Sequence, residues 1–99
     1  KKILLIGVLS EKLTEEMVGQ IRRIGDLAVT VTPDYASRAM PAEEFAGILN
    51  ESGIRAEAAE SIEAGTDKAM EIAGEDGIVI AFGSLYFVGR LRTVLGLRP

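Results

Sequence analysis

The chain has 99 residues, 47% of them hydrophobic and 26% charged, with a formal net charge of -4. That balance describes one globular domain with a core, not a disordered segment, and an acidic chain lacks the basic footprint that nucleic acid requires. With no cysteine and no histidine, disulfides, thiol chemistry, zinc sites of the usual ligands and any nucleophile activated by histidine are excluded.

Lys1-Lys2 ahead of ILLIGVL has the outline of a signal-peptide start. The apolar run is short, however, and passes into Ser10-Glu11-Lys12 without a small-residue cleavage site. Ile3 to Leu9 therefore reads as a strand buried on both faces. No stretch is long enough to span a bilayer, so a cytoplasmic location and no membrane partner are expected.

Thr14 is the expected N-cap of a first helix. Glu15 and Glu16 occupy its favoured first turn, Leu13, Met17, Val18, Ile21 and Ile24 form its apolar stripe, and Gly25 closes it as a C′ glycine. Leu27 to Thr32 is β-branched and strand-like, ending at Pro33. Pro33 to Met40 is the longest irregular connection. Pro41 is expected as the first residue of a second helix, with Glu43 and Glu44 in its opening turn, Phe45, Ala46, Ile48 and Leu49 buried, and Gly53 ending it.

Ile54 to Ala59 is a weak, alternating strand suited to a sheet edge. Ser61 or Thr66 starts a third helix carrying Ile62, Ala69, Met70, Ile72 and Ala73 and stopped by Gly74. A last strand begins at Ile78, and Gly83-Ser84 turns it into a fourth helix over Leu85 to Leu95, ended by Gly96. Strand starts near Ile3, Leu27, Ile54 and Ile78 are evenly spaced and each strand is followed by a helix. The fold class is thus α/β, a Rossmann-like, doubly wound, mainly parallel four-stranded sheet with helices on both faces. Strand order 3-2-1-4 places strands 1 and 4 together, so that their loops meet at a switch point where such sheets hold ligands.

Three stretches could carry chemistry. Gly83-Ser84 offers backbone N–H groups and a hydroxyl at a helix start, which attracts anions, or is simply an N-cap. In Ser10-Glu11-Lys12 a lysine could neutralise a phosphate or carboxylate, with Glu11 orienting it or touching a metal-bound water; the alternative is an ordinary exposed loop. Asp34-Tyr35 with Arg38 follows strand 2. Arg38 suits two-point recognition of a carboxylate, or else pairs with Glu43 or Glu44. Arg90, Arg92 and Arg98 complement the end of helix 4 or face a neighbouring domain. There is no P-loop, no G-x-G-x-x-G after strand 1 and no acidic cluster of the phospho-acceptor kind.

GIVIAFGSLYFVGRLR closely resembles the final strand–helix motif of folylpolyglutamate synthase/dihydrofolate synthase, typically G-S-L-Y-hydrophobic-V-G. GVLSEKLTEEM resembles that family's G-hydrophobic-x-x-D-K-D stretch, and VTVTPDYASRAMPAEEFA its proline–arginine segment, related to the Asp-Asn-Pro-Arg stretch of some muramyl peptide ligases. Three motifs in the right order resemble the C-terminal, glutamate-ligase domain of the Mur ligase superfamily. The resemblance implies one domain, residues 1–99, of a longer multidomain chain. A P-loop domain of that chain would bind ATP and Mg²⁺ and phosphorylate a folate carboxylate, and this domain would deliver L-glutamate to the acyl phosphate.

Carried over by position, Ser84 would hold a carboxylate of the glutamate, Lys12 would lie near the phosphate as the catalytic residue, and Arg38 would stand near the amino acid's acidic end. Glu11, Asp34 and Tyr86 would be further substrate contacts, with no metal ligand and no nucleotide-binding residue among these 99. Two departures matter. Glu11-Lys12-Leu13 replaces Asp-Lys-Asp, so any task of the second acid is lost or moved. The family's Asp-x-x-His-Asn-Pro-like segment is not present, so the 99 residues alone are expected to be inactive. Alternatives from the sequence are a muramyl peptide ligase domain, for which GSLY is the wrong variant, a non-catalytic anion-binding or regulatory α/β module, and an interaction domain docking through Arg90–Arg98.

Overall fold

The structure, a computed structural model, describes residues 2–10, 13–33 and 38–83. Among these, four strands and three helices alternate: β1 (Lys2–Gly7), α1 (Glu15–Ile24), β2 (Leu27–Thr30), α2 (Ala42–Glu51), β3 (Ala56–Ala58), α3 (Ile62–Ala73) and β4 (Ile78–Gly83). All strand pairs are parallel and the order is β3-β2-β1-β4, as expected. β3 lies at the sheet edge, and its alternating sequence leaves Glu57 exposed between half-buried Ala56 and Ala58. The fourth helix expected over Leu85 to Leu95 lies outside the described residues.

Alternation along the strands divides the core in two. Leu4, Ile6, Val8 and Ala28 face α1 and α2, where Ile21, Phe45 and Leu49 complete one cluster. Ile3, Leu5, Val29 and Val31 face α3, where Ile62 and Ala69 complete the other. Gly65 lets α3 come this close, because a Cβ there would stand 2.4 Å from Cγ1 of Val31.

Helix starts follow two patterns. Thr14 caps α1 by accepting from the Met17 N–H at 3.2 Å, and Ser61, not Thr66, caps α3 by accepting from Ala64 at 3.0 Å. Thr66 is instead buried inside α3, its hydroxyl donating to the Ile62 carbonyl. Pro41 is not the first helical residue: its ψ of 139° is extended, so it is the residue before the helix, and it has no side-chain acceptor to cap with.

Several expected details change. β1 ends at Gly7, not Leu9, because the chain leaves its parallel partners there. β2 ends at Thr30, not Thr32, since β1 pairing reaches only Ile6 and β3 pairing only Ala58. Gly25 has an extended φ of -117°, not a left-handed one. Glycine is required there by proximity, because a Cβ would lie 2.5 Å from Cγ of Leu4. Gly53 and Gly74 do have positive φ, as helix-ending glycines should. Ile24 and Met70, expected in the core, are 41% and 55% exposed. Ile24 is the last residue of α1, and Met70 lies beside the Ile62–Gly65–Thr66–Ala69 stripe that meets the sheet.

Candidate functional site at the carboxyl edge of the sheet

Parallel strands deliver their outgoing segments to one edge, and here the two central ones are in register to their ends. Gly7 of β1 stands opposite Gly83 of β4. The chain entering Ser84 therefore starts beside the chain entering Val8, as the 3-2-1-4 order requires.

The segment after β1 then meets the segment after β2. Leu9 and Ala39 form an antiparallel bridge, with the Ser10 N–H donating to the Arg38 carbonyl at 2.9 Å and the Met40 N–H to the Val8 carbonyl at 3.0 Å. Side-chain burial explains why the two segments stay down: Val8, Leu9 and Met40 are buried, while Ser10 and Arg38 are exposed. An apolar underside thus holds a polar upper edge against the sheet. Of the sequence candidates, Arg38 is placed by the structure, beside Ser10 at this edge. Glu11, Lys12, Asp34, Ser84 and Tyr86 lie outside the described residues.

A second clasp holds the far end of the β2–α2 connection. The Ala42 N–H donates to Oγ1 of Thr32 at 2.9 Å, and Oγ1 of buried Thr30 donates to the Ala42 carbonyl at 2.7 Å. Both backbone polar groups of the first residue of α2 are therefore tied to β2 or to the residues just past it. Sequence reasoning missed these threonines by treating them as ordinary strand residues. The available signal was Pro41, which cannot cap a helix and so requires an acceptor from elsewhere.

The electrostatics of the edge are uneven. Helices α1, α2 and α3 all begin here with carboxylates in their first turns, namely Glu15 and Glu16, Glu43 and Glu44, and Glu63. These acids answer the positive ends of their own helix dipoles and oppose a second anion. The segment after β4 reads SLYFVGR, with no acid. Two grooves lie alongside the helices. One of 450 Å³ runs between α1 and α2, from Leu13 to Arg22 and Ser52, and one of 340 Å³ lies between α3 and β4. Among the described residues no three His, Cys, Asp or Glu side chains gather where they could hold a metal ion, and no helix is long and apolar enough to cross a membrane.

These features define a doubly wound α/β domain whose segments after β1 and β2 are bridged at one edge of the sheet. Two solved structures share the fold: Mycobacterium tuberculosis folylpolyglutamate synthase complexed with ADP and AMPPCP, and the same enzyme complexed with ADP. Each superposes with a TM-score of 0.82 at 22% identity, over 99% of this chain and 24% of that chain. The chain thus spans about a quarter of the length of the enzyme it matches. No protein-family model and no curated protein sequence matches it.

Proposed function

We propose that this chain is the C-terminal, amino-acid-delivering domain of an ATP-dependent ligase that joins L-glutamate to a folate, and that it is one part, residues 1–99, of a larger multidomain protein. The observation that carries this is the bridge between the segments after β1 and β2 at the edge where β4 ends opposite β1, in the fold of a folylpolyglutamate synthase. The segments after β1, β2 and β4 carry the motifs GVLSEKL, PDYASRAM and GSLYFVG.

In this mechanism the glutamate amine attacks the carbonyl carbon of a folate acyl phosphate. The C–N bond forms, the C–O bond to phosphate breaks, inorganic phosphate leaves, and the amine loses a proton to solvent. Ser84 holds a glutamate carboxylate on the acid-free segment after β4. Arg38 pairs with the amino acid's acidic end, and Lys12 neutralises charge on the phosphate. Glu11, Asp34 and Tyr86 complete the contacts. In the full protein a P-loop domain would hold ATP and Mg²⁺ and would supply the activation of the folate carboxylate, and no metal-dependent step is assigned to residues 1–99.

The test is incorporation of labelled L-glutamate into a folate by the full-length protein with ATP. Incorporation is expected there, and none by the 99-residue chain alone. In the full-length protein Ser84→Ala is expected to raise the KM for L-glutamate about tenfold, since a hydrogen bond to a charged group is lost. A variant that loses only about 1 kcal/mol of stability, with KM unchanged, would reduce Ser84 to a helix cap.

A further inference from the structure

On the glutamate-ligase reading above, we propose that Thr32 is a positioning residue for Arg38. It lies two residues past β2 rather than in the helix it caps, so its hydrogen bond to the Ala42 N–H does more than satisfy a helix start. It fixes the distance between the end of β2 and the beginning of α2, and so the chord spanned by the connection that carries Arg38. A cap on a helix's own preceding residue, such as Thr14 or Ser61, sets no such distance.

Three other contacts make this distance matter at Arg38. Thr30 holds the Ala42 carbonyl from below, so Ala42 is held from the strand at both of its backbone polar groups. Met40 is tied to Val8, and the Arg38 carbonyl itself accepts from Ser10. Arg38 therefore stands between two clasps, one on the segment leaving β1 and one on the end of β2. Pro41 between them has no N–H to offer and a fixed φ, which leaves little slack over the five positions from Arg38 to Ala42. Loss of the Thr32 acceptor frees the start of α2 to shift, and the shift is passed to Arg38 through this short, stiff segment.

Thr32→Val keeps the shape and removes the acceptor; Thr32→Ser keeps the acceptor. The experiment measures KM and kcat for L-glutamate in the full-length protein, for each variant with Arg38 present and with Arg38→Ala. Thr32→Val is expected to raise KM about fivefold with kcat nearly unchanged, the equivalent of one lost cap. Thr32→Ser is expected to restore KM. In the Arg38→Ala background the effect of Thr32→Val on KM is expected to vanish, because residues acting through one another are not additive.

An equal KM effect with and without Arg38, or a Thr32→Val protein that melts earlier with unchanged KM, would overturn the proposal and leave Thr32 a cap only. A wild-type protein with no glutamate-dependent turnover would instead overturn the ligase reading itself, and the wild-type control separates the two failures.

Discussion

The two faces of the sheet solve the same spacing problem in opposite ways. Toward α2, β2 offers the small residues Ala28 and Thr30, and the helix supplies bulk in Phe45 and Leu49. Toward α3, β2 offers Val29 and, just past the strand, Val31, and the helix recedes to Gly65 and Ala69. One strand thus presents small side chains to one neighbour and large ones to the other, by alternation alone. The small face has a structural consequence: Thr30 and, just past the strand, Thr32 reach the backbone of α2 and fasten the connection that carries Arg38. Among the described residues, the large face makes no such bond with its helix's first residue.

The comparison can be broken from either side. Phe45→Ala empties the helix half of the first face, and urea denaturation of the chain is expected to show a loss of about 3–5 kcal/mol. A loss under about 1 kcal/mol would mean that α2 does not supply the bulk there. On the other face, Gly65→Ala gains helix propensity but drives a Cβ toward Val31, and a net loss of about 1–2 kcal/mol is expected. Adding Val31→Ala sharpens the point, since the double variant should lose about 1 kcal/mol less than the sum of the two. Strict additivity would show that the glycine is not there for Val31. The smallest effect is expected at the rim, where Lys68 of α3 pairs with Glu57 of β3 at 2.9 Å with both side chains well exposed. Lys68→Ala should cost no more than about 0.5 kcal/mol in the same measurement. A larger cost would make the β3 edge part of the α3 face rather than its margin.

What was legible in the sequence was whatever a residue announces through its own neighbours. Period and spacing located every described strand and helix, and the strand order followed from wanting β1 beside β4. Thr14 declared itself as a cap by preceding two glutamates. What was not legible depends on residues far apart in the chain. β1 stops at Gly7 because Val8 and Ser10 are claimed by Met40 and Arg38, and α2 starts at Ala42 because Thr32 reaches it from ten positions away. Gly25 shows the same limit: a helix-ending glycine suggests a left-handed residue, whereas this one is dictated by Leu4 pressing on it. At the candidate site, Arg38 was singled out from its loop and its motif, but the clasps that hold its segment were not, because no local pattern marks a bridge between two loops.

The parallel pairing of β1 with β4 also orders events in time. Lys2 pairs with Ile78 and Gly7 with Gly83, while β2 covers only the opposite edge of β1. β1 therefore stays open along one side from its own synthesis until residue 83 has been made. At typical rates of synthesis that interval is about 4 to 15 s. Throughout it the apolar run Ile3–Ile6 faces outward on that edge, and the growing polypeptide is most exposed to wrong partners in the stretch that will become its centre.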